Sequence, residues 1–275
     1  MTIAEAIRAA AETLSKTSDT ARLDAELLMA HAKGINRSDL LLRAMQNEAP
    51  AGFEALIKRR ASHEPVAYIT GTQEFYGRSF AVGPGVLIPR GDSETLIDAA
   101  LETVPNAKRV LDLGTGSGAL LITVLLEFEG ASGIGIDASE VAVQTARENA
   151  QSLGLIGAQA RILKRDWRRD GWHRDLGEFD LILCNPPYVE DDAELERDVR
   201  EFEPGRALFA GPEGLDDYRL LIPQIANHLN EDGAAIFEIG ATQAETVTKI
   251  AETAGFSVEM RRDLANRPRA LVFRT

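Results

Sequence analysis

From Arg109 onward the chain alternates short apolar, β-branched runs with stretches of helical pattern, and no other feature of the 275 residues limits the fold as tightly. RVLDL (Arg109 to Leu113) reads as a strand, followed by a helix from Gly118 to about Glu127. GIGID (Gly133 to Asp137) is a second strand, and a helix capped near Ser139 runs from it to Gly154. A third strand lies in ARILKRDW, and a fourth begins at Phe179 in FDLILCNPP. A helix around Tyr218 to Leu229 precedes a fifth, AAIFEIG, which ends before Gly240. FSVEMRRD and RALVFRT close the chain as two strands joined by a short turn. Repeated strand–helix–strand units imply a parallel sheet with right-handed crossovers, and the terminal hairpin adds one antiparallel strand.

The segment before this alternation has a different texture. The first ~60 residues read as a small helical bundle, by the periodicity of their apolar residues. Ser18 and Asp19 are placed to cap a helix carrying Leu23, Leu27, Leu28 and Met29, with Gly34 just past its end. A second segment lies around Asp39 to Leu42 and a third spans Phe53 to Arg60. AYITGTQEFYGRSFAVGPGVLIPR is rich in aromatic and β-branched residues and broken by glycines, which predicts one or two β-hairpins. Pro89 is expected to end the last of these strands and Ser93 to cap a helix through Leu96 to Leu101. The domain organisation expected is a helical domain over 1–63, a hairpin linker over 64–90 and an α/β domain over 91–275.

Composition narrows the function classes. Hydrophobic residues are 44% and charged residues 27%, and no apolar run approaches the ~20 residues that span a bilayer. The N-terminus carries acids and helix formers where a signal peptide has a basic patch and an apolar core, so a cytoplasmic protein is expected. Cys184 is the sole cysteine, and His31, His63, His173 and His228 show no ligand spacing, so no metal site is expected. A net charge of −13 argues against a nucleic-acid substrate, because such binders use a basic face to displace phosphate counterions.

Asp112-Leu113-Gly114-Thr115-Gly116-Ser117-Gly118 joins the first strand directly to a helix. Glycines are required there because a Cβ would keep the backbone from approaching a ligand in so tight a turn. Asp137 ends the next strand, where a carboxylate can accept both hydroxyls of a ribose. Gly114, Gly116 and Ala119 also satisfy the dinucleotide fingerprint, so a nicotinamide dehydrogenase is an open alternative. Asp112 favours a ligand with an ammonium group, as methionine has, since beside a pyrophosphate an acid would repel. Asp166 and Trp167, at the end of the third strand, can accept the exocyclic amine of adenine and pack on its ring.

Asn185-Pro186-Pro187-Tyr188 stands at the carboxyl end of the fourth strand. Two prolines fix φ and remove two backbone donors, leaving carbonyls turned outward as acceptors. A planar NH2 group can donate to the Asn185 side chain and the Pro186 carbonyl at once, which holds its nitrogen in line with a sulfonium methyl. The same acceptors stabilise positive charge developing on that nitrogen, and Tyr188 offers a flat face. Cys184 lies inside the apolar strand and reads as a small buried side chain.

On these residues the chain resembles the protein-glutamine methyltransferases that modify the GGQ tripeptide of class-one peptide chain release factors. ARLDAELLMAHA resembles the family's substrate-docking bundle, and EPVAYITGTQEFYGRSFAV with VLIPR its interdomain hairpin. DLGTGSGAL, GIDAS, RDW and NPPY follow in the family's order, as do FEPGRALFAGPEGLDDYR and DLANRPRALVFR. The resemblance implies a Rossmann-like S-adenosylmethionine-dependent methyltransferase domain with a seven-stranded, mostly parallel sheet. It implies cofactor contacts by Gly114, Thr115, Gly116, Ser117, Gly118, Asp137, Asp166, Trp167 and Asn185, with S-adenosylhomocysteine as product. Asn185, Pro186, Pro187 and Tyr188 are implied to hold the glutamine, with Asn185, Pro186 and Tyr188 in the catalytic roles. Release factors are the implied protein partners of a monomer that binds neither nucleic acid nor membrane. NPPY alone is shared with enzymes that methylate nucleobase amino groups, and the sister enzymes of a ribosomal-protein glutamine are a further alternative. The chain departs from the family's usual Pro-Glu-Thr-Glu after VLIPR, reading Gly91-Asp92-Ser93-Glu94 instead.

Overall fold

A computed structural model describes residues 1–155 and 157–275. They form two units, one of Met1–Thr72 with Leu195–Glu203 and the other of Gln73–Glu194 with Pro204–Thr275. The first unit is thus discontinuous in sequence. Among the described residues no helix is long and apolar enough to cross a membrane.

In the first unit α1 (Ile3–Leu14) opens with a capping box, Thr2 and Glu5 each accepting from the other's backbone N–H. Its Ile3, Ile7, Ala10 and Leu14 share one buried face. The next helix, α2 (Ala21–Lys33), ends at Gly34 in the left-handed region, as expected, but starts differently. Thr20 is the N-cap residue, and the hydroxyls of Ser18 and Thr20 donate to the side chain of Asp24 at 2.8 and 2.9 Å. Asp24 and Glu26 are buried on α2, whereas Leu23 and Leu27 stay partly exposed. α3 (Arg37–Asp39) runs into a π-helical turn, Leu40–Ala44, and α4 (Phe53–Ala61) follows.

AYIT is helical, against the expectation of a strand. α5 (Val66–Thr70) starts after Pro65 and stops at a left-handed Gly71, so the start and stop signals outweigh the β-branched composition. One hairpin forms, β1 (Thr72–Phe75) with β2 (Arg78–Ala81), around a Tyr76-Gly77 turn with φ of 49° and 70°. Positive φ at both turn residues suits the twist of a two-residue hairpin. Residues 82–90 contain no strand, so Pro89 ends none.

A 3-10 turn, Gly91–Ser93, leads into α6 (Glu94–Thr103), where Ser93 occupies the N-cap position without making a capping bond. The alternation then follows as read: β3 (Arg109–Leu113), α7 (Ala119–Glu127), β4 (Ser132–Asp137), α8 (Glu140–Ser152), β5 (Ala160–Lys164) and β6 (Phe179–Cys184). Past Glu194 the chain enters the first unit as α9 (Arg197–Phe202), held there by Arg60 to Asp198 at 3.5 Å and Arg197 to His63 at 3.3 Å. It returns at Pro204 and continues as α10 (Asp216–Ile225), β7 (Leu229–Glu238), α11 (Ala244–Thr253), β8 (Ser257–Arg262) and β9 (Pro268–Arg274).

Among the described residues the larger sheet has seven strands in the order β5-β4-β3-β6-β7-β9-β8, and β9 runs opposite to the other six. Alternate residues along each strand face opposite ways. Val110, Leu181 and Ile236 pack with α6, α7 and α8 on one face, and Leu111, Ile182 and Phe237 with α10 and α11 on the other. The chain adds strands outward from β3 through β4 to β5, then returns to β6 on the other side. That reversal opens a crevice beyond the carboxyl ends of β3 and β6, where ligands of such sheets bind.

Candidate active site

A cleft of about 1020 Å³, its solvent-open mouth included, occupies this crevice. It is lined by Gly114, Thr115, Gly116 and Ser117 after β3, Asp137 after β4, Asp166 and Trp167 after β5, and Asn185 and Pro187 after β6. The sheet therefore brings nearly all the sequence-derived cofactor residues to one place. Gly118 is not part of the lining; it is the N-cap residue of α7.

Two glycines of the loop have specific steric causes. At Gly114, φ is 74° and an added Cβ would lie 3.0 Å from the Trp167 ring. At Gly118, φ is 84° and a Cβ would come within 2.6 Å of the Ile122 side chain and 3.3 Å of Ala146. The first keeps the cleft floor open and the second lets α7 pack against α8. The loop is also held from behind: buried Asn149 donates to the Ser117 carbonyl at 2.8 Å and exchanges hydrogen bonds with the Ala81 backbone.

The Asp137 carboxylate is oriented by backbone N–H groups, accepting from Gly116 at 3.0 Å and Ser139 at 2.8 Å. Burial raises its pKa, and those hydrogen bonds oppose the rise. Asp112 does not line the cleft, and the ammonium contact expected of it finds no support in this position. It is wholly buried, accepts from the Thr115 hydroxyl at 2.6 Å on one oxygen and leaves the other without a hydrogen-bond partner. Burial pushes its carboxyl up to about 7.

Trp167 is fixed by a residue sequence reasoning missed. Its Nε1 donates to Asp217 at 2.7 Å, and the Arg168 guanidinium grips the same carboxylate at 2.8 and 3.2 Å. Asp217 sits in the first turn of α10, where an acid looks like ordinary helix-dipole complementation and gives no signal of its own. Asp166 accepts from the Arg168 backbone at 3.0 Å and lies 3.4 Å from Arg206, another cleft residue not singled out before.

The tetrapeptide divides. Asn185 and Pro187 face the cleft, while Pro186 is buried outside its lining and Tyr188 packs into the core around β6 and β7. The flat face expected of Tyr188 is thus turned inward, because its hydroxyl donates to Glu238 Oε1 at 3.2 Å. Burial raises the pKa of Tyr188, and the Glu238 charge adds to it. Backbone N–H groups of Tyr188 and Val189 donate to the Leu208 carbonyl, and the Gln243 side-chain Nε2 donates to the Tyr188 carbonyl, which secures the turn. Asn185 Nδ2 donates to the Ser93 hydroxyl at 3.4 Å. Cys184 is buried, and burial raises its thiol pKa well above the ordinary value, so it supplies no thiolate.

Comparison with known proteins bears on both units. A model of the PrmC N-terminal domain matches residues 5–71, and a methyltransferase domain model matches residues 105–259. The release factor glutamine methyltransferase of Geobacter sulfurreducens is 39% identical over 248 residues, covering 88% of this chain and 84% of the relative. That of Cereibacter sphaeroides is 40% identical over 277 residues, covering 98% and 97%. The chain belongs to the release factor glutamine methyltransferase family. Membership covers both units, since the second alignment takes in nearly the whole of each chain. A methyltransferase structure from Pyrococcus furiosus, 18% identical with a TM-score of 0.53 over 72% of this chain and 89% of that one, shares the fold.

The cleft fits S-adenosylmethionine. A glycine floor that a single Cβ would fill, an oriented carboxylate after β4 and an indole anchored after β5 together offer a backbone cradle, a diol acceptor and an apolar wall.

Proposed function

We propose that this protein transfers a methyl group from S-adenosylmethionine to the side-chain amide nitrogen of the GGQ glutamine in class-one release factors. The observation that carries the reading is Asn185, which shares the cleft with the glycine loop while its Nδ2 end is taken up by Ser93. Its carbonyl end is left for a donor, and a glutamine side chain brings an NH2 group.

When bound, the cofactor supplies an electrophilic methyl on a sulfonium. Gly114 and Gly116 would approach it as bare backbone, flanked by Thr115 and Ser117, while Asp137 would take the ribose hydroxyls and Asp166 with Trp167 would border the adenine. Asn185 Oδ1 and the Pro186 carbonyl accept the two N–H bonds of the substrate amide and aim its nitrogen at the methyl. Their negative ends would stabilise the charge that nitrogen gains as the N–C bond forms and the S–C bond breaks, and the surplus proton would pass afterwards to solvent water, so no side-chain base is needed. Asn185, Pro186 and Tyr188 serve the acceptor side on this reading, Tyr188 by holding the turn from within the core. The helical unit docks the release factor. The same reading takes the enzyme as a cytoplasmic monomer acting on protein, in keeping with its net charge of −13.

The test is incubation of the pure protein with labelled S-adenosylmethionine and a release factor, followed by mass spectrometry of the GGQ peptide. Label on that glutamine, absent from a GGQ→GGA factor, is expected. Label on nucleic acid, or none on the factor, would sink the reading.

A further inference from the structure

We propose that Asp92, gripped by Arg267 and Arg269, is a positioning residue that fixes one wall of the cleft and, through the adjoining Ser93, the Asn185 carboxamide. The inference rests on the glutamine-methylation reading and deepens it.

The wall ends in a turn that cannot stiffen itself. Gly85, Val86, Leu87, Pro89 and Ser93 border the cleft, and residues 82–90 belong to no strand. The run closes in the 3-10 turn Gly91–Ser93, whose first residue is a glycine and adds no rotational restraint. Ser93 is 3% exposed and accepts from Asn185 Nδ2 at 3.4 Å. Where this turn sits therefore decides where the carboxamide is held, and a small displacement of an orienting group is costly to a transfer reaction.

The restraint comes from the C-terminal hairpin. Arg269 on β9 and Arg267 just before it each donate to Asp92 Oδ2, at 2.9 and 3.0 Å. Asp263 orders both cations, accepting from the Arg267 backbone and Nε at 2.9 Å each and lying 3.6 Å from Arg269. Arg269 and Asp263 are each 8% exposed, so the two acids and two guanidinium groups form a network seated on a strand, unlike a loose surface pair. On the other side of Ser93, Glu94 accepts the Tyr76 backbone N–H at 2.8 Å. Ser93 is thus bracketed by two anchored acids, and Asp92 is the one that ties it to the sheet.

Asp92→Ala removes the anchor while both arginines keep Asp263, so no cation is left without an acid. Gly91→Pro supplies a restraint of another kind. Arg90 is extended with ψ of 144°, as suits a residue before proline, and a Cβ at Gly91 meets nothing within 4 Å.

The test uses the full-length protein, with release-factor methylation kinetics, cofactor affinity by calorimetry and hydrogen exchange of residues 85–93. Asp92→Ala should lower kcat about tenfold, raise cofactor Kd less than about threefold and speed exchange along the wall. Measured well below Tm, a network serving stability alone would leave kcat unchanged. Adding Gly91→Pro to Asp92→Ala should recover most of the rate and of the protection. Because Asp92 acts through Ser93 on Asn185, an Asn185→Ala/Asp92→Ala double variant should be no slower than Asn185→Ala alone. Wild-type kcat in Asp92→Ala, an undiminished loss in a folded proline variant, or additive losses with Asn185→Ala would overturn the proposal while leaving the substrate reading intact. A wild-type enzyme that labels no release factor would overturn both.

Discussion

Asp24 and Glu26 of the helical unit and Asp112 and Glu238 of the α/β unit are buried carboxylates partnered in opposite ways. In the helical unit Asp24 and Glu26 are saturated. Asp24 accepts from Ser18, Thr20 and Arg60, and Glu26 from Arg22 and Arg37. Burial works to raise the pKa of Glu26, yet the hydrogen bonds and charges of its arginines outweigh it and hold the carboxyl below its ordinary value. In the α/β unit Asp112 and Glu238 each keep one oxygen without a hydrogen-bond partner, and burial raises both. Neither arrangement follows from burial alone, since all four side chains are at most 5% exposed. Asp24 and Glu26 tie helices together, whereas Asp112 and Glu238 lie near the carboxyl ends of β3 and β7, behind the cleft; Asp217, saturated by Trp167 and Arg168, shows that the α/β unit uses both arrangements.

The largest effect should come from breaking a saturated acid. Arg60→Met leaves Asp24 without its cation and should cost about 3–5 kcal/mol, read from chemical denaturation. A neutral result would end the distinction between the two arrangements. Next comes Asp137, an acid whose partners are backbone amides of the cleft itself. Asp137→Asn should weaken cofactor binding by about 2 kcal/mol, some thirtyfold by calorimetry, without a matching loss of stability.

Asp112 sharpens the contrast through pH. Its folded pKa of about 7 lies above the ordinary 3.8, so folding takes up a proton between those values and stability falls as pH rises through the window. Asp112→Asn should therefore raise the Tm of the cofactor-free protein at pH 8, by roughly 1–2 kcal/mol of stability, and change little near pH 4. A larger gain at acid pH would show that the carboxyl is not the group under strain. The smallest effect is expected at the surface. Arg22 is 55% exposed and shares Glu26 with Arg37, so Arg22→Ala should alter stability by less than about 0.5 kcal/mol.

Much of the α/β unit was legible because its signals are local. A strand ending in a glycine loop, an acid ending the next strand and Asn185 ending another each carry their meaning within a few residues. Together with the reversal of strand order they place a cleft. Ser93, Asn149, Asp217 and Glu238 were not legible, since their partners at Asn185, Ser117, Trp167 and Tyr188 are joined to them only by the folded sheet. Ser93 was even misread, because the residue before a helix looks like a cap whether or not its hydroxyl is used for one. Tyr188 is expected to offer its flat face to the substrate because nothing nearby in sequence announces Glu238. AYIT departs from expectation for the opposite reason: Pro65 and Gly71 are local signals that outweigh its β-branched and aromatic composition.

The nine residues Leu195–Glu203 carry one last consequence, for anyone wishing to move these units between proteins. They belong with the helices, yet they are encoded between Asn185 and Arg206, both of which border the cleft. A gene cut after Thr72 would not release a complete helical module, because it leaves α9 behind. Nor would it yield an unburdened enzyme, because the remainder would carry a stretch built to rest on helices it has lost. Grafting the helical unit onto another scaffold requires two insertions rather than one. Recombination at a single crossover could not have exchanged it whole.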